Sequence, residues 1–184
     1  MINFNSIDYL KYGNLKQQLA YDILTENHIL KDLHEFDPVL IGTIPIDIDI
    51  ENSDLDIICC WTNKNNFVEV LTRLFTDKTD FKINLNEELN YITANFTIGN
   101  FEIEIFGQNI PVRNQLGYRH MVIEYQLLLK HGSVFREKII ELKKQGFKTE
   151  PAFAFLLGLK GNPYEELLKY ENDQSQIILN SIIK

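Results

Sequence analysis

Five carboxylates fall within ten residues of this chain: Asp47, Asp49, Glu51, Asp54 and Asp56. The last two matter most, because only Leu55 separates them. In a strand, side chains two apart share a face, so Asp54 and Asp56 project together while Leu55 and Ile57 turn inward. Two carboxylates roughly 6–7 Å apart on one face repel each other unless a hard divalent cation, which takes oxygen ligands, draws them together. The pattern recurs in Phe101-Glu102-Ile103-Glu104-Ile105-Phe106, where Glu102 and Glu104 share a face. If the two strands are neighbours, one glutamate completes a three-carboxylate site; a solvated sheet face would carry the same pattern. Upstream, Gly42-Thr43 follows an apolar run, and ten residues (44–53) separate Thr43 from Asp54. A glycine followed by a hydroxyl residue lets the backbone approach a phosphate and offers N–H and O–H donors.

The elements that must hold these groups can be read from periodicity. Asn14 is a good N-cap with Gln17 as capping-box partner, and Leu15, Leu19, Ile23, Leu30 and Leu33 predict one helix from Asn14 to about residue 34. Asp37-Pro38 ends it. Val39-Leu40-Ile41 reads as a buried strand, Leu55 to Trp61 as a second, and Asn63 to about Asp77 as a helix. Residues 44–50 alternate isoleucine with Pro45, Asp47 and Asp49, which fits a half-buried strand or an ordered loop. Gly99-Asn100 between Tyr91–Ile98 and Phe101–Phe106 predicts a tight hairpin. The stretches 117–131, 133–145, 151–158, 163–171 and 174–183 are all helical in pattern. The expected architecture is α+β: a small mixed sheet flanked by helices, with a helical C-terminal extension, in a single domain over 1–184.

Composition narrows the partners. The chain has 184 residues and a net charge of −8. Residues 113–148 carry eight basic side chains against three acidic ones, a local +5 that leaves −13 elsewhere. An acidic chain is not expected to bind duplex DNA as its main partner. No apolar run reaches the length of a membrane span, and the first residues lack the basic-then-apolar order of a signal peptide. Cys59 and Cys60 are adjacent and face opposite sides of a strand, so they predict buried thiols and a cytoplasmic setting. Trp61, Phe153 and Phe155 are expected in the core.

Gly42-Thr43, the ten-residue spacer, Asp54-Leu55-Asp56-Ile57 and the later acidic strand resemble the minimal nucleotidyltransferases of the DNA polymerase beta superfamily. The longer set Gly42-Thr43-Ile44-Pro45, Ser53-Asp54-Leu55-Asp56-Ile57, Glu104-Ile105-Phe106-Gly107-Gln108 and Tyr118-Arg119-His120-Met121 is similar to an uncharacterised bacterial family within it. So are Pro151-Ala152-Phe153 and Gly161-Asn162-Pro163-Tyr164. The resemblance implies a nucleotidyltransferase core over about 1–108 and a helical extension over 109–184 packed on it. It implies that Asp54, Asp56 and Glu104 (with Glu102 as substitute) hold Mg²⁺ or Mn²⁺. Glu104 would also position or deprotonate an attacking hydroxyl. Gly42 and Thr43, with Ser53, would face the phosphates of a nucleoside triphosphate. The reaction implied is transfer of a nucleoside monophosphate to a hydroxyl acceptor.

Two departures from that pattern stand out. Thr43 replaces the usual serine or glycine and keeps a hydroxyl. The spacer holds Asp47, Asp49 and Glu51 and no base, so the cation for a triphosphate must come from the +5 segment. There, Arg119 and His120 lie in the first turn of an expected helix, where anions are favoured. The other reading pairs Arg119 with Glu124 or a sheet carboxylate and uses His120 to cap buried backbone. Two further functional classes stay open: a catalytically weak nucleotide sensor or toxin–antitoxin-type module, and a metal-dependent phosphoester hydrolase.

Overall fold

Asn14 and Gln17 set the beginning of the molecule. Each side chain takes the other's backbone N–H, at 2.9 and 3.0 Å, closing a capping box on helix α1 (Leu15–Glu26). The same two side chains reach further. Gln17 Nε2 donates to the Ile44 carbonyl at 2.7 Å, and Asn14 Nδ2 donates to Asp47 Oδ1 at 2.7 Å. One cap therefore fixes the start of a helix and the start of the acidic spacer.

The computed structural model describes residues 2–171. The expected helix over 14–34 is two: α1 stops at Glu26, His28 takes a left-handed conformation (φ 56°), and α2 spans Ile29–Asp32. The break re-aims the chain so that Ile29 and Leu33 are both fully buried. It also changes the buried face. Ala20 and Leu24 go inward with Gln17, while Leu15 is 73 % exposed and Leu19 is exposed too, against the expected stripe. The polar Glu26-Asn27-His28 run favours a turn, and Asn27 Nδ2 closes it onto the Ile23 carbonyl at 3.0 Å.

Five strands form one sheet: β1 (Val39–Ile41), β2 (Leu55–Cys60), β3 (Thr79–Asn86), β4 (Tyr91–Ile98) and β5 (Phe101–Gln108), in the order β1-β2-β5-β4-β3. β2 and β5 run parallel and every other pair is antiparallel. Helix α3 (Lys64–Phe75), capped by Asn63, joins β2 to β3 and buries Phe67, Val70, Leu71 and Phe75. The fold is α+β, as the sequence predicts. Strand β3 has no counterpart in the predicted elements: it is an edge strand whose residues are mostly exposed, and a turn at Asp80 (φ 58°) shifts its register against β4. Residues 44–50 form turns rather than a strand, with Ile44, Ile46 and Ile48 buried.

The chain divides into two compact units. The first comprises residues 2–47 and 52–118; the second comprises Ile48–Glu51 and residues 119–171. Helix α4 (Leu116–His131) begins in the first and continues in the second, which also holds α5 (Ser133–Lys144), α6 (Thr149–Leu157) and α7 (Pro163–Leu168). Four of the five C-terminal helical patterns thus appear, and the fifth, 174–183, lies outside the described residues. Trp61 and Phe153 are buried as expected. Phe155 is not: it is 64 % exposed.

Candidate active site

Strand alternation builds the site. Leu55, Ile57 and Cys59 of β2 and Phe101, Ile103 and Ile105 of β5 enter the main core. The side chains between them lie on the other face of the sheet, which therefore carries Asp54, Asp56 and Ile58 beside Glu102, Glu104 and Phe106. Because β2 and β5 are parallel neighbours, the register places Asp56 directly opposite Glu104. Adjacent strands stand about 4.8 Å apart, close enough for two carboxylates to share one cation. The row continues across all five strands as Ile41, Asp56, Glu104, Asn95 and Lys82. Asn95 Nδ2 donates to Glu104 Oε2 at 3.2 Å, which orients that carboxylate.

Gly42 sits against this row in a left-handed conformation (φ 87°), and a Cβ there would overlap Asp56 Oδ2. Only glycine brings the backbone so close to the carboxylate. Thr43 Oγ1 donates to Ser53 Oγ at 3.2 Å, joining the two ends of the spacer. The six residues Gly42, Thr43, Ser53, Asp54, Asp56 and Glu104 thus belong to one face and its rim, with Glu102 next along β5.

Two hollows open on this face, and Glu104 lines both. One, of about 270 Å³, is polar: Asp54, Asp80, Glu102, Asn95 and Lys82 contribute to it. The other, of about 470 Å³, extends toward Phe106 and Gln108 and is walled by Tyr91, Leu116 and Gly117, with Asp56 at its near end. Lys82 is a residue that sequence reading misses. Its signal was the alternation Phe81, Ile83, Leu85 against Lys82 and Asn84, blurred by the polarity of an edge strand.

Arg119 and His120 are engaged inside the second unit. Arg119 makes a forked pair with Glu171, Nε to Oε1 at 3.0 Å and a terminal nitrogen to Oε2 at 2.7 Å. This pairing raises the Arg119 pKa and holds the Glu171 carboxyl below its ordinary value. His120 Nε2 lies 3.0 Å from the Tyr164 carbonyl oxygen, and its Nδ1 3.5 Å from Glu150 Oε1. Nearby, Glu124 is buried and its pKa is pushed up to about 8, by burial first and by the Glu150 charge second, against the opposing pull of Lys143. Lys143 is buried as well and donates to the Ile48 carbonyl at 2.9 Å. Burial pushes both the Cys59 and Cys60 thiols up, which keeps them protonated and unreactive.

Oxygen ligands on a half-exposed sheet face suit Mg²⁺ or Mn²⁺ better than a softer metal. As the side chains stand, no three His, Cys, Asp or Glu among the described residues are gathered tightly enough to form a finished cage. The backbone brings Asp56 and Glu104 opposite each other and puts Asp54 two residues along the same face. All three offer the oxygen donors that such a cation takes.

A family model described as a domain of unknown function, DUF4269, matches residues 22–170, which include every one of these groups. The chain belongs to that family. No curated protein matches the sequence. Among solved structures, the RNA terminal uridylyl transferase Cid1 is similar at a TM-score of 0.53 and 13 % identity, over 75 % of this chain and 41 % of that one. The Cid1 poly(U) polymerase with Mg and 3′-dATP bound gives 0.52 and 15 %, over 75 % and 41 %. A cytoplasmic RNA terminal U-transferase gives 0.51 and 14 %, over 69 % and 38 %. The DUF4269 chain thus has a nucleotidyltransferase fold and spans about two fifths of the length of these structures. Among its described residues no helix is long and apolar enough to cross a membrane.

Proposed function

We propose that this protein is a metal-dependent nucleotidyltransferase whose acidic residues are Asp54, Asp56 and Glu104. The observation that carries the reading is the register that sets Asp56 opposite Glu104, with the Gly42 backbone packed against the Asp56 carboxylate. Asp54 and Asp56 with Glu104 would hold Mg²⁺ or Mn²⁺, which would supply charge neutralisation for the triphosphate and the leaving pyrophosphate. Gly42 and Thr43 present backbone N–H groups and a hydroxyl to the β- and γ-phosphates, with Ser53 fixing Thr43. Glu104 accepts the proton of the acceptor hydroxyl, whose oxygen bonds to the α-phosphorus. The α–β bridging bond breaks, and pyrophosphate departs with its electron pair. Asn95, through its hydrogen bond, keeps one Glu104 oxygen turned along the sheet. The polar hollow beyond Glu104 provides room for the acceptor. Arg119 reaches a phosphate only by leaving Glu171, and His120 only by leaving Tyr164, so neither is needed for this scheme. Cid1 is described as acting on UTP and RNA ends; a hydroxyl acceptor here is consistent with that chemistry class.

The test is incubation with Mg²⁺ or Mn²⁺ and each α-³²P-labelled triphosphate together with a panel of hydroxyl acceptors. Transferred label with stoichiometric pyrophosphate is the expected result. Free labelled monophosphate without an acceptor would instead identify a phosphoester hydrolase.

A second reading is a nucleotide-sensing module that retains the fold without turnover, such as a toxin–antitoxin partner. It is favoured by one observation: among the described residues, Lys82 is the single cation lining either hollow. Nucleotide binding with neither label transfer nor pyrophosphate would establish it.

A further inference from the structure

The larger hollow is not explained by the carboxylates. Its charge is confined to one end, at Asp56 and Glu104, and the remainder is lined by apolar, aromatic and amide side chains. A ligand that fits must therefore be cationic, or anionic and bridged by a cation, at one end and neutral for the rest of its length. Phe106 and Tyr91 form a tilted ring pair with centroids 5.0 Å apart on this face. Gln108 lies four residues beyond Glu104 on the same side of β5, roughly 13 Å away at about 3.3 Å per residue, and is paired in register with Tyr91. It is half-buried, and its side-chain amide offers a donor and an acceptor together.

The opposite wall is held firmly. Gln115, only 2 % exposed, donates through Nε2 to the Cys59 and Ile110 carbonyls, each at 2.9 Å, and its Oε1 is buried without a hydrogen-bond partner. Those bonds anchor the start of α4, and with it Leu116 and Gly117, over the ends of β2 and β5. Gly117 allows this approach, since a Cβ there would lie 2.6 Å from Ile41 Cδ1. The hollow is thus formed before any ligand arrives.

We propose that this hollow binds the nucleoside moiety of the triphosphate, with the base stacked on Phe106 and Tyr91 and its edge read by the Gln108 amide. The proposal rests on the nucleotidyltransferase reading for the direction of the phosphates, toward Asp56. Stacking on an aromatic face tolerates any base, because every base has a π-face. Discrimination among bases therefore falls to Gln108, whose paired donor and acceptor suit a base edge that presents the complementary pair.

The experiment uses the full chain without metal and four phosphate-free ligands: adenosine, guanosine, cytidine and uridine. Nucleoside binding is followed by NMR through the Gln108 side-chain amide and the Phe106 ring signals. Saturable shifts at both positions, stronger for one nucleoside, are expected. Gln108→Leu should remove the preference among the four, and Phe106→Leu, which keeps the apolar volume, should weaken all four about tenfold. Shifts confined to other parts of the protein, or no saturable shift at all, would overturn the proposal. So would an unchanged ranking in Gln108→Leu. Label transfer without nucleoside shifts at these positions would remove the base pocket and leave the transferase standing. Nucleoside shifts without transfer would do the reverse.

Discussion

The molecule holds two groups of carboxylates that look alike in composition and differ in every physical respect. Asp54, Asp56 and Glu104 stand on one face of a sheet, beside open hollows, with Lys82 the only cation along the walls among the described residues. Glu124 and Glu150 lie among helices α4 to α6, where Lys143 and His120 accompany them and Glu124 is fully out of water. The helical group is compensated from within, by a buried ammonium and by uptake of a proton on Glu124. The sheet group instead borders two open hollows.

The comparison can be broken from either side. The largest expected effect is at the sheet: Asp56→Ala should lower nucleotidyl transfer by about a thousandfold, the scale of losing a group that stabilises developing charge. The same change should leave the thermal midpoint close to the parent's. A parallel fall in midpoint and activity would make Asp56 structural. Next comes Lys143→Met in the helical group, which should cost about 1–3 kcal/mol in denaturant unfolding, because it leaves the buried Ile48 carbonyl without this donor.

Glu124→Gln should have a smaller, pH-dependent effect. Glu124 has a folded pKa raised to about 8, from 4.5, so the folded protein holds a proton that the unfolded chain gives up. Its contribution favours folding most at low pH and is lost as pH rises from about 4.5 to about 8. Unfolding measured across that window should show stability declining with pH in the parent and a flatter profile in the glutamine variant. Equal slopes would mean that Glu124 titrates normally. The smallest effect is expected at Arg119→Ala, where a half-exposed ion pair with Glu171 is worth at most about 1 kcal/mol. Triphosphate affinity should be unchanged; a tenfold loss would return Arg119 to the phosphate-binding role that its place in a first helical turn suggests.

Lys143 also bears on the acidic spacer. Asp47, placed by sequence where a triphosphate would enter, accepts a hydrogen bond from Asn14 and sits at positive φ. Ile48, next along, is buried and held by Lys143 through its carbonyl. The alternation of isoleucine and aspartate over 44–50, which reads as a possible strand, records a turn whose isoleucines are its anchors.

What the sequence determined by itself was local and periodic. The i and i+2 spacing put Asp54 with Asp56 and Glu102 with Glu104, Gly99-Asn100 marked the hairpin, Asn14 and Asn63 capped their helices, and the helical C-terminal patterns followed from 3.6-residue repetition. These features depend on neighbours within a few positions, where covalent geometry limits the choices. The tertiary structure alone decided which strand lies beside which, and hence that Asp56 faces Glu104. It alone placed Lys82 on an edge strand in their row and gave Arg119 to Glu171 and Glu124 to a buried site. Strand order and long-range charge pairing depend on which surfaces exclude water together, and no spacing along a chain encodes that directly.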